Sequence, residues 1–308
     1  MSLEAKTIDE PILRTRSHVL DYIELAKPEL TFLSVLSALC GFYIGSIGPF
    51  NFWLFLHTAV GTSLLGGGAG ALNQYIEREY DALMKRTERR PLPSRRVLPA
   101  EALLFGILLS AIGIVELSAF TNVLTGFLGA ATWATYLFLY TPLKRITPLS
   151  TLVGAVPGAL PPLMGWAAVR NHISIEAMVL FAILFCWQIP HFLSLAWMYK
   201  KDYARAGFKM LTMFDEDGKR TSRQVMIFTI ALLPATLIMP FLGMAGLIYS
   251  VSAMILGTAF LGFGVLFIRS THADEIIHHN INSSARRMFF ASLVYLPLLM
   301  IVMSLDKT

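Results

Sequence analysis

Apolar runs of about twenty residues recur along this chain, the length a helix needs to cross a hydrocarbon core. With 55% of its residues hydrophobic and only 15% charged, the chain reads as a polytopic membrane protein. Nine spans are predicted, at approximately 30–48, 52–72, 98–119, 123–140, 149–169, 177–198, 225–245, 247–268 and 288–304. The expected fold is all-α: a polytopic bundle of nine transmembrane helices. Gly, Pro, Ser and Thr within the spans fit helices that pack closely and neighbours that satisfy freed backbone groups. No low-complexity linker divides the sequence, so residues 1–29 are expected as a tail, 30–304 as one domain and 305–308 as a second tail.

Charge placement orients the bundle. Of 25 Lys and Arg residues, all but Arg170 and Lys307 fall in the N-terminal tail or in the loops after spans two, four, six and eight. The positive-inside rule then puts the N-terminus in the cytoplasm and the C-terminus on the outer, periplasmic side. The net charge of +5 follows from that topology, so no nucleic-acid partner is expected. Residues 1–29 are polar and lack a continuous apolar core, so no cleavable signal peptide is expected ahead of the first span. Cys40 and Cys186 lie inside apolar runs without ligand-like spacing, which argues against a disulfide framework or a zinc site.

The long charged loops, 73–97 and 199–224, follow spans two and six and so share a place in a possible four-helix repeat. Function is expected on their side. In the first, Asn73, Glu77 and Asp81 recur at steps of four, which places an amide and two carboxylates on one helix face. Oxygen ligands of this kind suit a hard divalent cation such as Mg2+, which keeps several waters and shares its shell with substrate phosphates. Lys85, Arg86, Arg89 and Arg90 follow, then Pro91 and Pro93, which are expected to stop the helix. Arginine forks bind phosphate oxygens bidentately, so this order could hold a metal-bound diphosphate. A solvated basic loop is the open alternative. Gly66, Gly67, Gly68 and Gly70 are expected to let another helix approach. In the second loop Asp202 is a further candidate metal ligand, with Lys200, Lys201, Arg205 and Lys209 nearby, while Asp215, Glu216 and Asp217 are expected in a solvated turn ending at Gly218.

Several motifs in order resemble the UbiA superfamily of intramembrane prenyltransferases, and within it the heme-farnesylating branch. They are Asn73, Glu77 and Asp81 with the following MKRTERRPLPS, YTPLKR at 140–145, STLVGAVPGALPPLMGW at 150–166, WQIPHF at 187–192 and KDYARAGFKML at 201–211. One departure stands out. Many members carry a second acid four residues after the first in the later motif, where this chain has Ala206.

The resemblance implies farnesyl diphosphate as donor, heme B as acceptor, and magnesium held by Asn73, Glu77, Asp81 and Asp202. It assigns Arg86, Arg90, Lys144, Arg145 and Lys209 to the diphosphate oxygens. Tyr80, Tyr140, Trp187 and Tyr203 are candidates to shield a cationic species, with ordinary packing as the alternative. His191, a polar residue inside a span, is a candidate to ligate iron or bond a propionate, against a purely structural histidine. His278 and His279 are expected at the surface. A bacterial inner membrane and its lipid bilayer are the implied setting, where a heme-modifying or terminal oxidase could stand alongside. Two other functions stay open: prenylation of an aromatic acid or chlorophyll-like ring, and a transporter.

Overall fold

The computed structural model describes residues 18–272 and 278–308, and among them there are helices and turns but no strands. The segments are α1 His18–Leu25, α2 Pro28–Gly45, α3 Phe52–Asp81, α4 Pro99–Phe120, α5 Val123–Ala134 and the single turn α6 Thr141–Leu143. They continue as α7 Ser150–Ala159, α8 Pro161–Arg170, α9 Ile175–Met198, α10 Lys200–Arg205, α11 Lys219–Phe241, α12 Leu247–Ser270 and α13 His278–Leu305. Among the described residues, counting α5–α6 and α7–α8 as one crossing each, eight segments are long and apolar enough to cross a membrane. The ninth is α3, which is 30 residues long; its glycines and His57 dilute an otherwise apolar run. The protein is a multi-pass helical membrane protein.

Burial sorts the helices. Two thirds of the α7–α8 crossing is buried, against 22% of α4, so α7–α8 lies centrally and α4 turns much of its surface outward. Outward residues on α4 are Leu104, Ile112 and Val115, as befits a lipid-facing wall, while Met164, Ile183, Ile189 and Leu193 form the interior. Small residues set the closest crossings. A Cβ on Gly165 of α8 would run into the Ala38 carbonyl and the Phe42 amide of α2, so only glycine permits that approach. Gly68 does the same for α3 against α4, where an added Cβ would lie 2.7 Å from the Ser110 amide. Gly70 instead admits the α1–α2 connection, close to the Ala26 carbonyl.

Four boundaries differ from expectation, each for a local reason. Part of the presumed N-terminal tail is α1, which is anchored by Arg96 through Asp21 and through Glu24 at 2.9 Å. Span two runs nine residues further, to Asp81, and ends there rather than at Pro91; the Thr87 hydroxyl donates to the Asp81 carbonyl at 2.8 Å and the chain folds back. The crossing at 123–143 carries a π-helical stretch, Thr135–Tyr140, where the Thr141 amide donates to the Tyr136 carbonyl. Pro142 follows with no N–H to continue the α ladder. The fifth span breaks between Ala159 and Pro161. The side chains of His278 and His279 fall outside the described residues, as does the whole of 1–17.

The two charged loops meet at one end of the bundle. Met84 from the first packs with Ala206, Phe208 and Met210 from the second, and with Ala196 near the end of α9, in a buried apolar cluster. Ala206 is thus only 3% exposed, so a carboxylate at this position would have to be desolvated among apolar neighbours.

Candidate active site

The four-residue spacing on α3 turns Asn73, Glu77 and Asp81 inward, with 1%, 6% and 1% exposure. They are therefore buried groups, although they stand in a strongly charged stretch of sequence. Each is matched by a cation from elsewhere in the chain. Lys27 donates to Asn73 Oδ1, Lys144 to Glu77 Oε1 at 2.6 Å, and Arg90 to Asp81 Oδ2 at 2.7 Å. The Asn73 amide nitrogen donates to Thr141 Oγ1 at 3.1 Å, so its orientation is set from both ends.

Local structure places these cations. Lys27 joins α1 to α2 in left-handed backbone, φ 48°, a conformation that costs free energy in a non-glycine residue and that carries its ammonium to Asn73. Lys144 follows α6 directly, and its own carbonyl accepts the Lys209 amide at 2.7 Å. Arg90 returns to Asp81 because the loop after α3 folds back through Thr87. Burial, followed by the nearby charge of Arg90, lowers the Lys27 pKa to about 7. Lys144 is opposed most strongly by burial as well, yet the charge and hydrogen bond of Glu77 together with Tyr140 and Tyr136 outweigh it and raise its pKa.

These groups line the mouth of a cavity of about 370 Å³, together with Arg86. Four cationic side chains there, Lys27, Arg86, Arg90 and Lys144, face two carboxylates, Glu77 and Asp81, so the mouth favours a polyanion. Arg86 lies over the Tyr199 and Tyr203 rings, 5.2 and 5.9 Å from their centroids. Below the mouth the walls turn aromatic and apolar, with Trp133, Tyr136, Tyr140, Trp187 and Phe192. Lys144 Nζ sits 4.6 Å from the Tyr140 ring centroid, at the junction of the two regions. Asp81 Oδ1 is buried and unpaired, an acceptor that a cation or water would satisfy. Among the described residues no group of three or more His, Cys, Asp or Glu is gathered for a metal. Two carboxylates with one open oxygen still fit magnesium, which takes much of its shell from water and phosphate.

Not every sequence candidate reaches this cavity. Asp202 does not line it; its carboxylate is taken by Arg205, three residues on along α10. Arg145 is drawn to Tyr80, bonding its hydroxyl and lying 4.5 Å from its ring centroid, and neither residue lines the cavity. Lys209 is exposed, contributing its backbone amide and not its ammonium. Asp215 is no part of a solvated turn: at 3% exposure it accepts from the Thr221 amide at 2.7 Å and caps the start of α11. Tyr140, Trp187, His191 and Tyr203 do line the cavity. Sequence reasoning missed Lys27, Thr141 and Tyr136; the Lys27–Pro28 step at the head of a span was the available signal for the first.

A helical membrane bundle with a cationic, carboxylate-bearing mouth above an apolar, aromatic-walled cavity is shaped to receive an amphiphile with a polyanionic head. The chain belongs to the UbiA prenyltransferase family, whose model matches residues 34–294, and it is a membrane prenyltransferase. It is 47% identical over 296 residues to the protoheme IX farnesyltransferase of Solibacter usitatus, covering 93% of this chain and 98% of that one. It is 44% identical to the protein of the same name from Salinibacter ruber, with the same coverage. Among solved structures, a digeranylgeranylglyceryl phosphate synthase superposes with a TM-score of 0.77 at 15% identity, covering 94% of this chain and 98% of that one. A UbiA homolog from Archaeoglobus fulgidus bound to GPP and Mg2+ superposes with a TM-score of 0.62 at 14% identity, covering 92% and 99%.

Proposed function

We propose that this chain transfers the farnesyl group of farnesyl diphosphate to a vinyl group of heme B. The observation that carries the reading is the juxtaposition of charge and oil: four cations and two carboxylates open directly onto an aromatic-walled cavity. One end suits a diphosphate and the other a polyprenyl tail and a flat macrocycle. The name shared by the relatives supports heme as acceptor, and the ligands of the Archaeoglobus fulgidus homolog support a prenyl diphosphate with magnesium.

Glu77 and Asp81 would hold magnesium, with Asp81 Oδ1 as the open oxygen. Bound there, the ion supplies charge neutralisation to the departing diphosphate. Arg86, Arg90, Lys144 and Lys27 gather the remaining oxygens and stabilise negative charge as it develops on the leaving group. The farnesyl C1–oxygen bond breaks with its electron pair leaving on diphosphate, and the terminal vinyl carbon bonds to C1. Water adds through oxygen to the other vinyl carbon and loses a proton, giving a hydroxyethylfarnesyl side chain. Tyr136, Tyr140 and Trp187 keep bulk water from the allylic carbon until then. The distribution of Lys and Arg supports a cytoplasmic mouth, and the bacterial relatives support an inner-membrane setting.

The test is incubation of the purified chain with farnesyl diphosphate, magnesium and either heme B or an aromatic acid, with mass analysis of the product. Heme B carrying one farnesyl group and one water is expected. Product from the aromatic acid alone would overturn the acceptor.

A further inference from the structure

Two side chains on α9 are fastened to one residue on α13. The Trp187 indole N–H donates to the Ser292 carbonyl at 2.9 Å, and His191 Nδ1 lies 2.8 Å from Ser292 Oγ. The imidazole also stacks on the Trp187 ring at 5.1 Å between centroids and lies 4.8 Å from the Phe289 ring. Ring position and tilt are therefore fixed by packing and by a hydrogen bond.

The same bond fixes the tautomer. Ser292 has one hydroxyl proton, and it is given to the Phe289 carbonyl at 2.5 Å, within the helix. The serine oxygen then has only lone pairs to offer, so Nδ1 must be the protonated, donating nitrogen. Nε2 is left as a bare lone pair. It has no partner among the described residues and is not among the buried unpaired atoms, and His191 lines the cavity, so this nitrogen is open to it. A neutral imidazole with one nitrogen anchored and the other free is the arrangement of a metal ligand. Among the described residues the hydrogen bonds and ring contacts of His191 are to Ser292, Trp187, Phe192 and Phe289.

We infer that His191 Nε2 is an axial ligand to the iron of the porphyrin acceptor and that Ser292 is the positioning residue that holds the required tautomer. The inference rests on the heme reading of the preceding subsection and deepens it. The Nε2 lone pair is donated to iron, Nδ1 keeps its proton, and no redox change is involved. Anchoring through iron would hold the macrocycle at one height in the cavity, beneath the diphosphate mouth.

The purified full chain is titrated with ferric heme B and, separately, with metal-free protoporphyrin IX, and iron ligation is followed by absorption and electron paramagnetic resonance. In the wild type a histidine-ligated spectrum is expected. His191→Ala should lose that spectrum and recover it with free imidazole, while binding protoporphyrin IX as the wild type does. Ser292→Ala should weaken heme binding by about 10- to 100-fold, the usual effect of removing a ligand's hydrogen-bond partner, again without affecting protoporphyrin IX. Ser292→Thr, which keeps the hydroxyl, should restore it. A His191→Ala protein with unchanged heme spectrum and affinity would overturn the ligand assignment, as would equal loss of both porphyrins. If either occurs while the wild type still makes farnesylated heme, the proposed reaction survives. A wild type that binds neither porphyrin and makes no product would remove both.

Discussion

The two charged clusters look alike in sequence and differ in architecture. On α3, Asn73, Glu77 and Asp81 are buried and matched to cations 46, 67 and 9 residues away. On α10, Asp202 lies outside the cavity and is taken by Arg205, its neighbour on the same short helix. The first cluster is assembled by the fold, and the second by local sequence. Carboxylates held in place before a ligand arrives need no reorganisation to receive it, so the catalytic burden falls on α3. Such buried ion pairs contribute little net stability, because desolvating two charges offsets much of their attraction.

The largest effect should come from Asp81→Asn. It keeps an oxygen for Arg90 but removes the charge that would hold magnesium, and turnover should fall by about 10²- to 10³-fold. A gel-filtration profile like that of the wild type would show that the bundle survives. Unchanged turnover at limiting and saturating magnesium would erase the contrast between the clusters.

A smaller effect separates Lys27 from its neighbours. Burial, with the charge of Arg90, brings its pKa to about 7, so the ammonium is present below that pH and lost above it. The KM for farnesyl diphosphate should therefore rise as pH increases through 7, by about tenfold per unit at most, the limit for one proton. Lys27→Arg keeps the charge and should flatten the profile; an unaltered slope would assign the titration elsewhere. The smallest change is expected from Asp202→Asn, with turnover within a few-fold of the wild type. A loss as large as that from Asp81→Asn would place Asp202 in the working site despite its pairing with Arg205.

What was legible in the sequence was periodic. Apolar runs gave the crossings, and steps of four put three oxygen-bearing side chains on one face of α3, because helix geometry is local. Pairings made by tertiary packing were hidden: nothing near Asn73 points to Lys27, and nothing near Glu77 points to Lys144. Arg145 and Lys209 looked as suitable as Lys144, but Tyr80 draws one away and solvent the other. The end of α3 was misjudged because prolines were expected to stop a helix that the Thr87 hydroxyl had already turned. Ser292 carried no signal, since its role exists only where α13 meets α9.

Calorimetric titration with an unreactive farnesyl thiodiphosphate, with and without magnesium, tests the α3 site most directly. Magnesium-dependent binding to the wild type and to Asp202→Asn, lost in Asp81→Asn, is the expected result. Binding that ignores magnesium and is equally strong in Asp81→Asn would contradict the assignment of the site to α3.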